Sequence, residues 1–192
     1  MHKIFFGSLV LVFTTVYSSW AYSNLAHIVE ISKNSTIIEL QQFAMRVNWR
    51  PSLRESTDLW SSREAVAFQA LRSKAGNKEL KLLVYTVDFS EIGKKQDVFF
   101  FFYQDRLFAI NFFIDNIDDT AFVKLVQEMG GSTSDGFLGY GKPIEVDSPF
   151  ITYMWYLNVE WDQTLIMTYL NQNIMPLVNI QIVHEKLLPG GK

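Results

Sequence analysis

The stretch VFFFFYQDRLFAINFFI, residues 98–114, decides the reading of this chain, because it packs seven of the sixteen Phe into seventeen residues. Residues 98–103 and 106–114 read as two strands joined tightly at Gln104-Asp105, since aromatic and β-branched runs on either side of a short polar break are a hairpin signal. With two or four residues in the connection, cross-strand parity puts Phe99, Phe101 and Tyr103 on one face with Phe108, Ile110, Phe112 and Ile114. Phe100 and Phe102 then share the other face with Leu107, Ala109, Asn111 and Phe113. Only the first face lacks a polar residue, so it is expected to form the core beneath the helices. The second face needs a cover. A ring left in water forfeits about 2 kcal/mol of burial, and an uncovered Phe run invites aggregation. Two covers are open: the chain's own segments (its first helix, or residues 130–149 with Phe137, Leu138 and Tyr140), or a partner.

Outward from the hairpin the pattern is that of one α+β unit. Residues 28–31 are a short strand-like run. Ser32 to Thr36 supply cap residues, with Glu39 as a capping-box partner, and residues 37–47 fit a helix burying Ile37, Leu40, Phe43, Ala44 and Val47. Pro51 forbids its continuation and marks a turn at 49–53. A second helix fits residues 62–74, stopped at Gly76. Residues 80–89 read as a strand and 93–96 as a loop. Asp118 or Asp119 caps a third helix bearing Phe122, Leu125, Val126 and Met129, which ends at Gly130-Gly131. Residues 130–149, with five Gly and two Pro, form the longest loop. Strands follow at 150–157, 164–170 and 177–184. In the last of these, Val178, Ile180 and Ile182 alternate with Asn179, Gln181 and Val183, the pattern of a sheet with one wet face.

The expected fold is therefore an antiparallel sheet of about six strands with helices packed on one face, in the order helix-helix-βββ-helix-βββ. The two halves share this order without a residue-level repeat. The order is similar to that of small exported binding proteins such as the β-lactamase-inhibitor proteins. That likeness is one of architecture and implies no residue and no activity.

Composition narrows the function classes. The chain has 192 residues, 48% apolar and 19% charged, which suits a single domain with a substantial core. It has no Cys, so disulfide scaffolds, thiolate zinc sites, Cys nucleophiles and Cys-linked lipid anchors are excluded. Residues 1–21 read as a signal peptide: Lys3, an apolar run over 4–16, then Ser19 and Ala21 at the positions a signal peptidase needs, with cleavage after Ala21. The run is shorter than a bilayer span and broken by Gly7, Ser8 and two Thr. Residues 22–192 are then expected to be one soluble exported domain, periplasmic or secreted. Asn34-Ser35-Thr36 is also a formal glycosylation sequon.

Loss of Lys3 leaves sixteen basic and twenty acidic residues, which disfavours nucleic acid as a partner. Residues 46–81 carry eight basic against four acidic, and Arg46, Arg50 and Arg54 suggest an anionic surface as a minor alternative to a solvated helical face.

No catalytic constellation assembles. His27 and His184 lie at opposite ends of the mature chain, there is no G-x-S-x-G, and the glycines at 136–141 lack the context of a phosphate cradle. The leading expectation is a non-catalytic binding protein without cofactor or metal, holding a protein or an apolar small ligand on an aromatic sheet face. Its residues are Phe100, Phe102, Phe113 and Tyr140, with Trp155 and Tyr156 nearby. The alternative is an exported metal-assisted hydrolase built on Asp115, Asp118 and Asp119 with His184, although N-capping explains these aspartates without a metal.

Overall fold

The structure, a computed structural model, describes residues 24–33, 35–54, 59–75, 80–90, 92–128, 143–144, 150–158, 163–170 and 176–187. The expected signal peptide, Tyr140 and most of the Gly-rich segment lie outside them.

The first element corrects the sequence reading. Residues 28–31 are not a strand but the end of helix α1, Asn24–Ile31. Leu25, Ile28 and Val29 follow the i, i+3, i+4 spacing of a buried helical face, which a four-residue window is too short to separate from a strand. Helix α2, Ile37–Arg46, begins as expected with a capping box. The Thr36 hydroxyl accepts from the Glu39 N–H, and the Glu39 carboxylate accepts from the Thr36 N–H. That second bond holds the Glu39 carboxyl below its ordinary pKa. Leu40, Phe43 and Ala44 are its buried stripe.

The expected turn at 49–53 instead contains a two-residue edge strand β1, Arg50–Pro51, paired with Thr86 and Tyr85. Proline is tolerated there because an edge position asks for no ladder donor on its open side. Helix α3, Arg63–Ala75, follows.

Strands β2 (Leu80–Phe89), β3 (Lys94–Tyr103) and β4 (Arg106–Asp115) form an antiparallel meander. The expected loop at 93–96 shrinks to a turn, with Gly93 at φ +65 and β3 starting at Lys94. Gln104 and Asp105 both take positive φ, 47° and 63°, as a two-residue hairpin turn with right-handed strand twist requires. Helix α4, Asp119–Glu128, is capped by Asp118, whose carboxylate accepts from the Ala121 N–H at 2.7 Å. A short β5 (Pro143–Ile144) and a second meander, β6 (Phe150–Asn158), β7 (Gln163–Leu170) and β8 (Leu177–His184), complete the sheet. Its order is β1-β2-β3-β4-β8-β7-β6-β5, all antiparallel. The chain is thus α+β, with six long strands and the expected element order. Each half ends on a strand that pairs with the other's, so β4 and β8 meet at the centre of the sheet.

One irregularity changes which residues share a face. The β3–β4 ladder runs Tyr103↔Arg106 and Phe102↔Leu107, then slips to Phe101↔Ala109 and Phe100↔Ile110. Phe108 is the extra residue of a β-bulge, so parity beyond it is inverted. Phe100 and Phe102 therefore lie with Leu107, Ile110, Phe112 and Ile114 in the larger core, with the buried residues of α1, α2 and α4. Phe99, Phe101, Phe108 and Ala109 form a second core with Leu59, Ala65 and Phe68, on the opposite face and beneath α3. Three helices thus cover one face of the sheet, and α3 covers part of the other.

Candidate binding face

The central aromatic ribbon is covered on both sides by the chain itself. Phe100 is fully buried, with its ring 5.9 Å from that of Trp49 and 6.0 Å from that of Tyr85. Trp49 in turn packs edge-on against Phe43 of α2, so the first cover is α2 and the segment after it. Phe101 on the other face meets Phe68 of α3 at 4.3 Å. Phe100 and Phe102 are core residues with no solvent exposure, and they cannot form a docking surface. Trp155 is likewise buried in the larger core. Tyr140 lies outside the described residues, and Tyr156 is placed only by its backbone register opposite Thr164. Phe113 alone of the six has a described side chain on the outer face, half-buried under the Arg63 guanidinium at 4.5 Å.

That outer face continues from Phe113 across β8 and β7. Along β7 the buried Gln163, Leu165, Met167 and Tyr169 alternate with half-buried Thr164, Ile166, Thr168 and Leu170. Along β8, Leu177, Asn179, Gln181 and Val183 are the half-buried set. The register sets Thr164 opposite Val183, Ile166 opposite Gln181, Thr168 opposite Asn179 and Leu170 opposite Leu177. These eight positions form a strip of alternating apolar and amide or hydroxyl side chains with no charge. At one end of it Val183 packs against the second core, beside Leu187 of the short 3-10 turn Glu185–Leu187, whereas α3 covers the matching part of the other half-sheet. The strip is half-legible in the sequence: β8 alternates cleanly, but β7 carries apolar residues on both parities and hides its wet face.

A charged border at the first turn of α3 flanks the strip. Arg63 grips Asp115 with both terminal nitrogens, at 2.8 and 2.6 Å, and its Nε donates to Glu64 at 3.3 Å. The pairing holds the Asp115 carboxyl below its usual range and raises the Arg63 guanidinium further. Arg54 bridges Glu64 and Asp97, and Asp97 also accepts from Ser52 and Thr86. Buried Asn111 ties this border to the strip, donating to the Glu64 carbonyl and accepting from Asn179.

The aspartates of the hydrolase alternative lie in separate hydrogen bonds. Asp115 is committed to Arg63, Asp118 caps α4, and Asp119 accepts from the Tyr169 hydroxyl at 2.5 Å. Burial, reinforced by that carboxylate, pushes the Tyr169 phenol up to about 12. His184 lies under the far end of the sheet and points Nε2 at the Ser32 carbonyl. Among the described residues no cluster of three or more His, Asp or Glu could hold a metal ion. We expect Asp119→Asn to lower stability by about 1 kcal/mol through the weakened Tyr169 bond. Denaturant midpoints of Asp119→Asn, Tyr169→Phe and the double variant should be non-additive, and simple additivity would refute the coupling.

Two of the three arginines of the anionic-surface reading are engaged separately, while Arg50 is exposed on β1. Arg46 stacks on Phe43 and faces Glu30, and Arg54 holds Asp97. No helix among the described residues is long and apolar enough to cross a membrane.

Comparison with protein families, with curated proteins and with solved structures found no match for this chain.

Proposed function

We propose that the chain is an exported, non-catalytic binding protein that holds a protein partner across the outer face of β7 and β8. The observation that carries this reading is the strip's lack of charge. In a chain that is 19% charged, all eight half-buried positions on two neighbouring strands are neutral, and half are apolar. A monomer that only needed to keep this face wet would gain solubility from Lys or Glu there. Interface centres are depleted in charge and mix apolar contact with hydrogen-bonding side chains, as Ile166, Leu170, Asn179 and Gln181 do. Export rests on residues 1–21 and their signal-peptide pattern.

The test is a photo-crosslinking amino acid at Gln181, with the same group at exposed Lys95 as control. In the native compartment, Gln181 should yield a discrete adduct that Ile166→Lys abolishes, with the thermal midpoint of Ile166→Lys within a few degrees of the parent. Identical products at both positions, or none at Gln181, would sink the proposal. N-terminal sequencing of the fractionated protein should find a chain starting at Tyr22; a retained Met1 would refute export by cleavage.

A further inference from the structure

A buried polar cluster lies between the end of α1 and the sheet, outside the proposed binding strip. The C-terminal end of α1 has no glycine cap, and side chains satisfy its carbonyl groups instead. Ser32 Oγ donates to the Val29 carbonyl at 2.7 Å, and Ser35 Oγ to the Ile31 carbonyl at 2.6 Å. The Ser32 carbonyl receives two donors from the sheet: Gln163 Nε2 at 3.0 Å and His184 Nε2 at 2.6 Å. Gln163 and His184 are paired across β7 and β8, and both are almost wholly buried. The sheet therefore holds the C-terminal end of α1 through Ser32, whose hydroxyl also accepts from Gln163 Nε2 at 2.7 Å, while Asn24 at the other end donates to the Asp88 carbonyl and Leu25, Ile28, Val29 and Ile31 pack into the larger core.

That geometry dictates the state of the imidazole. Because Nε2 faces a carbonyl oxygen, it must carry the ring proton, which leaves Nδ1 as the bare nitrogen of a neutral ring. Nδ1 is itself buried and has no hydrogen-bond partner among the described residues. A second proton would create a buried cation whose new N–H has no acceptor, a cost of the kind proteins avoid by staying neutral. Among the described residues, the groups facing the ring are Ser32 just after α1 and Gln163 of β7, neither charged. Burial lowers the affinity of His184 for a proton, against a smaller opposing pull from the Ser32 carbonyl.

The second mature histidine lies on α1 itself. His27 sets its ring edge-on to Phe43 of α2, 5.8 Å between centroids. Burial lowers its pKa, Glu30 on the same helix raises it, and Arg46 of α2 lowers it. Both histidines thus sit where α1 meets the rest of the fold, and burial lowers the affinity of both for a proton.

We propose that α1 is an acid-released strap, docked on the sheet while His184 and His27 are neutral and loosened as they take up protons. The detached state uncovers the end of the larger core next to Gln163 and His184. The sign follows from linkage. A histidine whose folded pKa lies below the ordinary 6.5 adds stability that is complete above that value and is lost as pH falls towards the folded pKa.

Native-state hydrogen exchange of the full chain between pH 7.5 and 5, corrected for intrinsic exchange, reads the opening of α1 against that of β7 and β8. Below pH 6.5, α1 opening should rise by up to tenfold per pH unit for each histidine, with β7 and β8 amides changing less. His184→Gln, which keeps an amide donor for the Ser32 carbonyl, should remove the larger part of the slope, and adding His27→Gln the remainder. The proposal is overturned by pH-independent α1 opening, by an unchanged slope in His184→Gln, or by α1 and the sheet opening together. Should His184→Gln fail to fold, an NMR titration of His184 in the parent protein decides: a midpoint below 6.5 supports the strap, and one at or above it refutes the strap.

Discussion

Replacing Phe100 and Phe102 together by Ser should abolish cooperative folding. Both rings are fully buried in the larger core, two residues apart on the same face of β3. Truncating one buried Phe to Ala costs about 3–5 kcal/mol, and Ser adds a hydroxyl with no partner prepared for it. Two such losses rival a typical domain stability of about 5–15 kcal/mol, even though neighbouring sites do not add simply. Thermal unfolding followed by near-ultraviolet circular dichroism should show no sharp transition. A cooperative transition within a few degrees of the parent would place these rings outside the core. Phe113→Ser is the control: this ring is half-buried under Arg63, so its loss should cost about 2 kcal/mol or less and leave the transition cooperative.

Phe68→Asp should unseat α3 and lay the second core open. The Phe68 ring packs 4.3 Å from Phe101 and 5.8 Å from Phe108, and among the described side chains of α3 it is the largest in that core. A carboxylate there forfeits the ring's burial of about 3 kcal/mol or more and must itself escape to water, which α3 permits only by lifting away. Phe99, Phe101 and Phe108 would then face solvent. We expect strong binding of a hydrophobic dye, concentration-dependent association, and loss of the helical signal of α3, with the larger core still folded. Because Arg63 and Glu64 sit in the first turn of the same helix, Arg63→Ala should mimic this weakly and Phe68→Leu hardly at all. An unchanged helical signal without dye binding in Phe68→Asp would show that something else covers that face.

These outcomes separate two questions that the Phe-rich ribbon poses together. An aromatic strand with rings on both parities demands two covers, and the chain supplies both, so its rings explain stability and not recognition. The partner surface proposed above is the β7–β8 strip, whose composition is unremarkable except for its neutrality. The strip and the α1 strap lie on opposite faces of the same two strands. Gln163 and His184 point to one side, while Thr164 and Val183 point to the other.

The sequence by itself determined the features that depend on near neighbours. The capping box of Thr36 and Glu39, the tight Gln104-Asp105 turn, the capping of α4 at Asp118 or Asp119 and the limits of β2 and β8 all follow from residues within about four positions of one another. So did the α+β class, because a run of strands with short links can only pair antiparallel. Tertiary structure alone decided the rest. The bulge at Phe108 reversed the faces of Ile110, Phe112 and Ile114, and nothing in the local pattern marks it, since both parities of β4 are apolar. The assignment of α3 to one face and of α1, α2 and α4 to the other depends on contacts between segments far apart in the chain. The tie from Ser32 to Gln163 and His184 spans 131 and 152 residues, beyond the reach of any periodicity, because only the closed sheet brings those side chains beneath the end of α1.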